Sequence, residues 1–189
     1  MVNATATAPE RELTATITPT EHNQTDSGIT TTMLGLLRIA FGWVLLWAGL
    51  DKIFGLGYPT ESGQGIVDGG SVTEGYLSFG VNPDSPVHGM LTAMAGNPIA
   101  DGLYLAATLG AGIAVLLGVF VRIAAIGGSI LMFMLWLSML PLENNPFMDQ
   151  HLLYALVGVA VALTGAGRYL GLGRWWASTS LVRAAPWLK

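Results

Sequence analysis

Hydrophobic residues along the chain gather into four long runs separated by polar and glycine-rich segments. The runs cover residues 33–54, 98–121, 123–140 and 151–170. A helix that crosses a bilayer needs about 20 mostly apolar residues, and each run comes close to this length. The pattern therefore predicts an all-α membrane protein in which residues 32–170 form a four-transmembrane-helix bundle.

The first run also carries a helical seam of small and charged residues. Gly35, Gly42 and Gly49 recur every seven residues, and Arg38 and Lys52 interleave with them at spacings of three and four. Residues at these spacings share one face of a helix. Small residues on one face allow a second helix to approach closely in lipid. We therefore expect this helix to lie inside the bundle.

The second run contains a comparable ladder of small residues. Ala106, Gly110, Ala114 and Gly118 recur every four residues and indicate another close contact between helices. We therefore add Gly110 and Gly118 to the glycines of the first run as predicted helix-packing positions.

Three segments flank or interrupt the hydrophobic runs. Residues 1–31 are rich in Thr, Asn and acidic residues and predict a disordered cytoplasmic tail. Residues 55–97 form a long outer loop, in which capping patterns at Ser71 and Ser85 predict two short interfacial helices. Residues 171–189 combine Trp with Arg, which is typical of an amphipathic cytoplasmic tail.

The distribution of positive charge predicts the topology. The connections 55–97 and 141–150 contain no Lys or Arg, whereas the turn at Arg122 and the stretch from Arg168 onward contain several. Positive residues concentrate on the cytoplasmic side of membrane proteins. We therefore predict a multi-pass protein of the plasma membrane with both termini in the cytoplasm.

Composition supports the membrane class and excludes several others. The chain is 52% hydrophobic and only 11% charged, with a mean hydropathy of +0.56. A net charge of -4 without a basic stripe argues against a nucleic-acid partner. The absence of cysteine excludes disulfides, thiolate metal sites and iron–sulfur clusters, and three scattered histidines predict no metal or haem site.

The best candidate site lies at the outer ends of the first and fourth runs. His151 and Tyr154 are three residues apart on one helical face, Asp149 can orient the imidazole, and Lys52 approaches from the first run. Such a set suits a quinone carbonyl or an anionic sulfur substrate, and we predict these four residues as catalytic. The alternative is that Asp149 caps the helix and the two aromatic rings are interfacial anchors.

A quinone would also need contacts within the bundle. Trp47 and Trp136 could stack on its ring, and Arg38 lies on the bundle-facing seam, so we predict these three as cofactor-binding residues. The alternatives remain open, because aromatic side chains in membrane helices also pack or face lipid. Arg38 and Lys52 could likewise extend to the headgroup layers.

The segment LRIAFGWVLLWAGLDKIFG resembles the DoxX/DoxD family of small four-helix membrane proteins. The segments GGSVTEGYLSFG and NPFMDQHLLYALV resemble its DoxD branch, the membrane subunit of thiosulfate:quinone oxidoreductase. The positions that match the family pattern are Arg38, Gly42, Gly49, Lys52, Asp149 and His151. The resemblance implies oxidation of thiosulfate to tetrathionate, membrane quinone as electron acceptor, and an extracytoplasmic second subunit.

We therefore expect a quinone-linked membrane oxidoreductase subunit. In this hypothesis Lys52 attracts an anionic substrate, His151 transfers protons, Tyr154 hydrogen-bonds the quinone, and Asp149 positions His151. The alternative is a non-catalytic membrane anchor or assembly partner of a redox complex, and a homo-oligomer is compatible with both. A transporter is disfavoured because the second and third runs carry no ionisable residue near mid-membrane.

Overall fold

A computed structural model describes residues 22–188, with side chains from residue 28 onward, and this part of the chain contains helices and no β-strand. The first helix, α1, covers His22–Phe54. It begins well before Met33, so the second part of the predicted tail is helical, while residues 1–21 lie outside the described residues. The Thr32 hydroxyl donates a 2.9 Å hydrogen bond to the Gly28 carbonyl within this early part of α1.

Three helical stretches within residues 22–188 are long and apolar enough to cross a membrane. They are Gly28–Phe54 within α1, Pro98–Leu117, and Val121–Ser138. This finding confirms the membrane class and a bilayer environment for the chain.

The second stretch is a continuous helix with one wider turn. It consists of α4, Pro98–Leu105, a π-helical turn, Ala106–Gly110, and α5, Ala111–Leu117. Asn97 caps α4, with its side-chain oxygen accepting a 2.8 Å hydrogen bond from the Ile99 amide. The stretch ends before the predicted residue 121, because Gly118 takes up a left-handed conformation with φ of 82° and stops the helix.

The last two long helices pack against each other. Helix α6 covers Val121–Ser138 and α7 covers Gln150–Leu163, and α7 also contacts α1. At about 1.5 Å per residue the 14 residues of α7 extend roughly 21 Å, less than the ~30 Å of a hydrocarbon core. Gly165, with φ of 64°, ends this region before the predicted residue 170. The fourth full-length span therefore remains a prediction.

The long loop lies over the ends of α1, α4 and α6. It contains a 3₁₀ turn at Ile66–Asp68 and two short helices, α2 at Glu74–Phe79 and α3 at His88–Thr92. The two helices occur where the capping patterns indicate, although α3 begins three residues after Ser85. The Ser85 hydroxyl instead donates a 2.8 Å hydrogen bond to the Leu137 carbonyl of α6.

Two buried or half-buried carboxylates fasten this loop to the helices. Asp51 of α1 accepts hydrogen bonds of 2.8 and 2.9 Å from the amides of Tyr58 and Thr60. Asp101 of α4 accepts hydrogen bonds of 3.0 and 2.6 Å from the amide and hydroxyl of Thr73. We call the end of the molecule that carries this loop and the connection 139–149 the acidic end.

The opposite end carries the turn 118–120 and the chain from residue 164 onward. Two short helices lie there, α8 at Gly173–Ala177 and α9 at Ser180–Ala184, followed by a 3₁₀ turn at Pro186–Leu188. The Leu172 amide donates a 2.8 Å hydrogen bond to the Leu117 carbonyl, which ties this segment to α5. We call it the arginine end, because Arg122, Arg168, Arg174 and Arg183 lie there.

Candidate functional site

Asp149 and His151 form a hydrogen-bonded pair at the start of α7. Asp149 is the N-cap residue, and one carboxylate oxygen accepts a 2.9 Å hydrogen bond from the Leu152 amide. Its other oxygen lies 2.7 Å from Nδ1 of His151. With Nδ1 held by the carboxylate, Nε2 is the ring nitrogen that can exchange a proton with a ligand. Among the described residues this is the one contact within 4 Å between an acidic side chain and a basic one.

An open groove of about 630 Å³ borders this pair. The connection 139–149 forms one side and the segment after α2 forms the other, and the lining residues are Phe79, Gly80, Val81, Asn82, Pro83, Met139, Leu142, Glu143, Asn144, Asn145, Met148, Asp149, Gln150 and His151. The lining includes two carboxylates and no Lys or Arg. Because its charged lining groups are carboxylates, the groove suits a small neutral ligand better than a dianion.

Lys52 and Tyr154 lie outside this groove. Lys52 is half-buried near the end of α1, and its neighbouring charge is the Asp51 carboxylate that holds the loop. Tyr154 shares α7 with His151 but packs against the hydrophobic core. The structure therefore brings together two of the four predicted catalytic residues, Asp149 and His151.

Trp136 and Trp47 contact other aromatic side chains of the protein. The Trp136 indole donates a 3.0 Å hydrogen bond to the Phe147 carbonyl, and the two rings meet edge to face at 5.7 Å. Trp47 lies 5.8 Å from Trp43 and 5.9 Å from Tyr58, measured between ring centroids. Trp136 thus positions the connection that forms one wall of the groove without lining the groove.

Arg38 is fully buried at the other end of the molecule. Its guanidinium donates hydrogen bonds to the carbonyl oxygens of Val115, Leu116, Tyr169 and Leu170. It therefore joins α1 to the last turn of α5 and to the segment that precedes α8. These contacts occupy both terminal nitrogens with protein carbonyls.

Tyr76 and Ser138 form a hydrogen-bonded pair at the acidic end that the sequence analysis did not identify. The Tyr76 phenol of α2 and the Ser138 hydroxyl at the end of α6 lie 2.7 Å apart, and Ser138 also donates to the Leu135 carbonyl. Burial raises the pKa of Tyr76 above its ordinary value; the hydrogen bond to Ser138 opposes this shift, and the negative charge of Asp149 adds to it. Tyr104 of α4 lies within electrostatic reach of Tyr76 and Asp51. No sequence motif relates these residues, because they come from three separate segments.

Four of the five predicted packing glycines lie where another residue would clash or be strained, and Gly110 does not. At Gly35, Gly42 and Gly49 an added Cβ would come within 2.6 to 2.9 Å of leucine side chains on neighbouring segments. Gly118 is required by its positive φ. Gly110 is different, because an added Cβ would meet nothing within 4 Å.

A close contact between three helices involves a glycine that the sequence pattern did not single out. At Gly158 of α7 an added Cβ would clash with the Ser129 hydroxyl of α6 and lie 2.6 Å from the Phe41 ring of α1. Three helices thus meet at one small residue.

The described residues contain no group of three or more His, Asp or Glu side chains arranged to hold a metal ion. Three apolar helices of spanning length in the described part of the chain indicate a multi-pass membrane protein. Residues 33–141, more than half of the chain, match the DoxX family, and the chain belongs to this family. No curated protein and no solved structure matches the chain.

Proposed function

We propose that the chain is the quinone-linked subunit of a membrane oxidoreductase. The observation that carries the proposal is the Asp149–His151 pair bordering an open, partly apolar groove at the acidic end. A paired imidazole at the edge of such a groove is suited to proton transfer at a ligand oxygen. Membership in the DoxX family and the resemblance of two segments to the DoxD branch of that family support the same proposal.

The resemblance to the DoxD branch suggests that thiosulfate is oxidised and quinone is reduced. Two thiosulfate ions join through a new S–S bond to give tetrathionate and release two electrons. Reduction of one quinone to the quinol consumes these two electrons and two protons, one at each carbonyl oxygen. His151 is proposed to deliver protons through Nε2, while Asp149 holds Nδ1 and stabilises the protonated ring.

The charge of the groove supports separate binding places for thiosulfate and quinone. Glu143 and Asp149 line the groove and no cationic side chain does, so a thiosulfate dianion would be repelled there. A neutral quinone headgroup has no such penalty. We therefore propose that thiosulfate is oxidised on a second, extracytoplasmic subunit and that this chain supplies the quinone end of the complex.

We propose that the acidic end faces away from the cytoplasm. Four arginines lie at the opposite end, and positive residues favour the cytoplasmic side. In a plasma membrane this orientation puts both termini in the cytoplasm. It also places the groove on the side from which an extracytoplasmic subunit would approach.

A specific observation also favours a second function, that of a non-catalytic anchor. The acidic end exposes large apolar side chains on the loop, including Phe79 at 90% and Tyr58 at 67% of their surface, together with Phe147. Exposed apolar groups outside the spanning helices are typical of a surface that binds another protein. In this alternative the loop holds a redox partner at the membrane and the groove has no catalytic role.

The test is reduction of a quinone analogue by thiosulfate, measured with the purified chain and its co-purifying partners and again after the chain is removed. The proposal expects activity that requires the chain. Activity that survives without the chain, together with loss of membrane attachment of the partner, supports the anchor function instead. Separate assays of thiosulfate oxidation with a soluble acceptor show which subunit oxidises the sulfur substrate.

A further inference from the structure

A second cavity lies at the arginine end, away from the candidate site. Its volume is about 260 Å³, and it lies between the turn after α5, the beginning of α6, the end of α7 and α8. The lining residues are Gly118, Val121, Arg122, Val161, Ala162, Leu163, Thr164, Gly165, Gly167, Arg168, Gly173, Trp176, Ala177 and Pro186. The proposed redox function uses none of them.

The charge of this cavity is positive. Arg122 and Arg168 both line it, no carboxylate does, and neither arginine forms an ion pair within the described part of the chain. The Nε atom of Arg174 donates a 3.2 Å hydrogen bond to the Arg168 carbonyl and so supports the turn that carries Arg168. Two arginines without acidic partners offer several donors for an oxyanion, and their planar guanidinium groups match the geometry of phosphate.

The cavity lies at the depth where a lipid headgroup would be. Val121 is the first residue of the α6 span, and Leu163 is the last residue of α7 and is 72% exposed. Trp176 lines the cavity and Trp175 is exposed next to it, and tryptophan favours the boundary between lipid tails and headgroups. In a bilayer crossed by α6, the arginines would border the headgroup layer and Leu163 would face the acyl chains.

We propose that this cavity binds the phosphate group of an anionic phospholipid through Arg122 and Arg168. The ligand chemistry is that of a phosphate with a net negative charge, and the acyl chains would lie along the exposed end of α7. Free inorganic phosphate has the same oxyanion chemistry but lacks the apolar part, so the two sources can be separated by experiment.

The experiment uses the full chain purified in neutral detergent and titrated with lipid, with bound lipid counted by native mass spectrometry. Phosphatidylglycerol is compared with phosphatidylcholine of the same acyl chains, and inorganic phosphate is added as a competitor. We expect tighter binding of phosphatidylglycerol and weak competition by phosphate. Equal binding of the two lipids by the unaltered chain would overturn the proposal. Strong displacement of phosphatidylglycerol by inorganic phosphate would assign the site to the free ion and overturn the lipid assignment.

Single variants locate the binding to the cavity. Arg122→Gln and Arg168→Gln should each weaken phosphatidylglycerol binding by about five-fold, the loss expected for one arginine near an anionic headgroup. Arg183→Gln is the matched control, because Arg183 is exposed at the same end but does not line the cavity. Equal effects of all three variants would indicate attraction by surface charge and overturn the assigned site. The lipid comparison with the unaltered chain decides the proposal even where a variant fails to fold.

Discussion

Arg38 of α1 donates a 2.6 Å hydrogen bond to the carbonyl oxygen of Leu116 in the last turn of α5. The last carbonyls of a helix have no partner within that helix, and a lipid environment provides no water to replace one. A buried guanidinium from a neighbouring helix thus satisfies the end of α5, where a positive charge also interacts favourably with the helix dipole. Arg38 is in this respect a structural residue that fixes the second span against the first.

Replacing Arg38 by leucine should strongly destabilise the fold. Arg38→Leu keeps an apolar stem but removes donors from four carbonyls, and we expect a loss of about 3 kcal/mol or more. Thermal unfolding in detergent measures the change. Arg183→Gln is the control, since Arg183 is exposed and its loss should shift the midpoint little. Equal midpoints for the two variants would contradict the structural role.

A pair of glycine variants tests the packing of the helices. Gly158→Ala should cost about 1–3 kcal/mol, because its Cβ would clash with Ser129 and Phe41. Gly110→Ala should be neutral or slightly stabilising, since its Cβ meets open space and alanine favours helix. The midpoints of thermal unfolding of both variants provide the comparison. An equal loss of unfolding free energy in both variants would contradict the close packing of α7 against α6 and α1 at Gly158.

The comparison of these two glycines also shows how far sequence reasoning reaches. The length and hydropathy of the runs predicted the second span and α6 to within a few residues, because the bilayer sets the length of a spanning helix. They also predicted the end of α1 at Phe54, although α1 begins earlier than the predicted Met33. Spacing alone could not separate Gly158 from Gly110, because it does not say which face of a helix meets a neighbour. That choice depends on tertiary packing, which one sequence does not reveal.

The candidate site shows the same limit. Asp149 and His151 are two residues apart, so their pairing could be predicted from local spacing. The groove, in contrast, is formed by the connection 139–149 and the chain after α2, which lie about 60 residues apart in sequence. In the sequence analysis Lys52 is grouped with His151 because both lie near the same predicted membrane surface. Two residues at the same depth in a membrane can still lie far apart across the bundle, and Lys52 lies outside the groove.

The pH dependence of stability tests the environment of Tyr76. The folded state raises the pKa of Tyr76, so the phenol contributes stability that is fully present below its unfolded pKa of about 10. This contribution falls as the pH rises above 10 and through the higher pKa of the folded state. Tyr76→Phe removes the hydroxyl and its hydrogen bond to Ser138, at a cost of about 1 kcal/mol near neutral pH.

Unfolding of the unaltered chain and of Tyr76→Phe should be followed between pH 7 and about pH 11. The stability advantage of the unaltered chain should shrink above pH 10. Tyr58→Phe is the control, because Tyr58 is largely exposed. An advantage that stays constant across this range would contradict the raised pKa.

Asp149→Asn separates the two roles of that residue. Asparagine remains a good N-cap and can still accept from the Leu152 amide, so stability should change by less than about 0.5 kcal/mol. It removes the negative charge that faces Nδ1 of His151, and quinone reduction should fall by about 10- to 100-fold. The pH dependence of the quinone reduction rate should also change. A residue that only caps α7 would leave this pH dependence unchanged. A variant with unchanged rate and profile would show that Asp149 only caps α7.

The most direct measurement of the proposed function is thiosulfate-dependent quinone reduction by the complex that carries His151→Ala. Protein levels and partner recovery are measured in parallel, and His88→Ala serves as the control because His88 does not line the groove. If His151 transfers protons to the quinone, the rate should fall by about 100-fold or more at normal protein levels. An unchanged rate at normal protein levels would contradict the catalytic role of the Asp149–His151 pair.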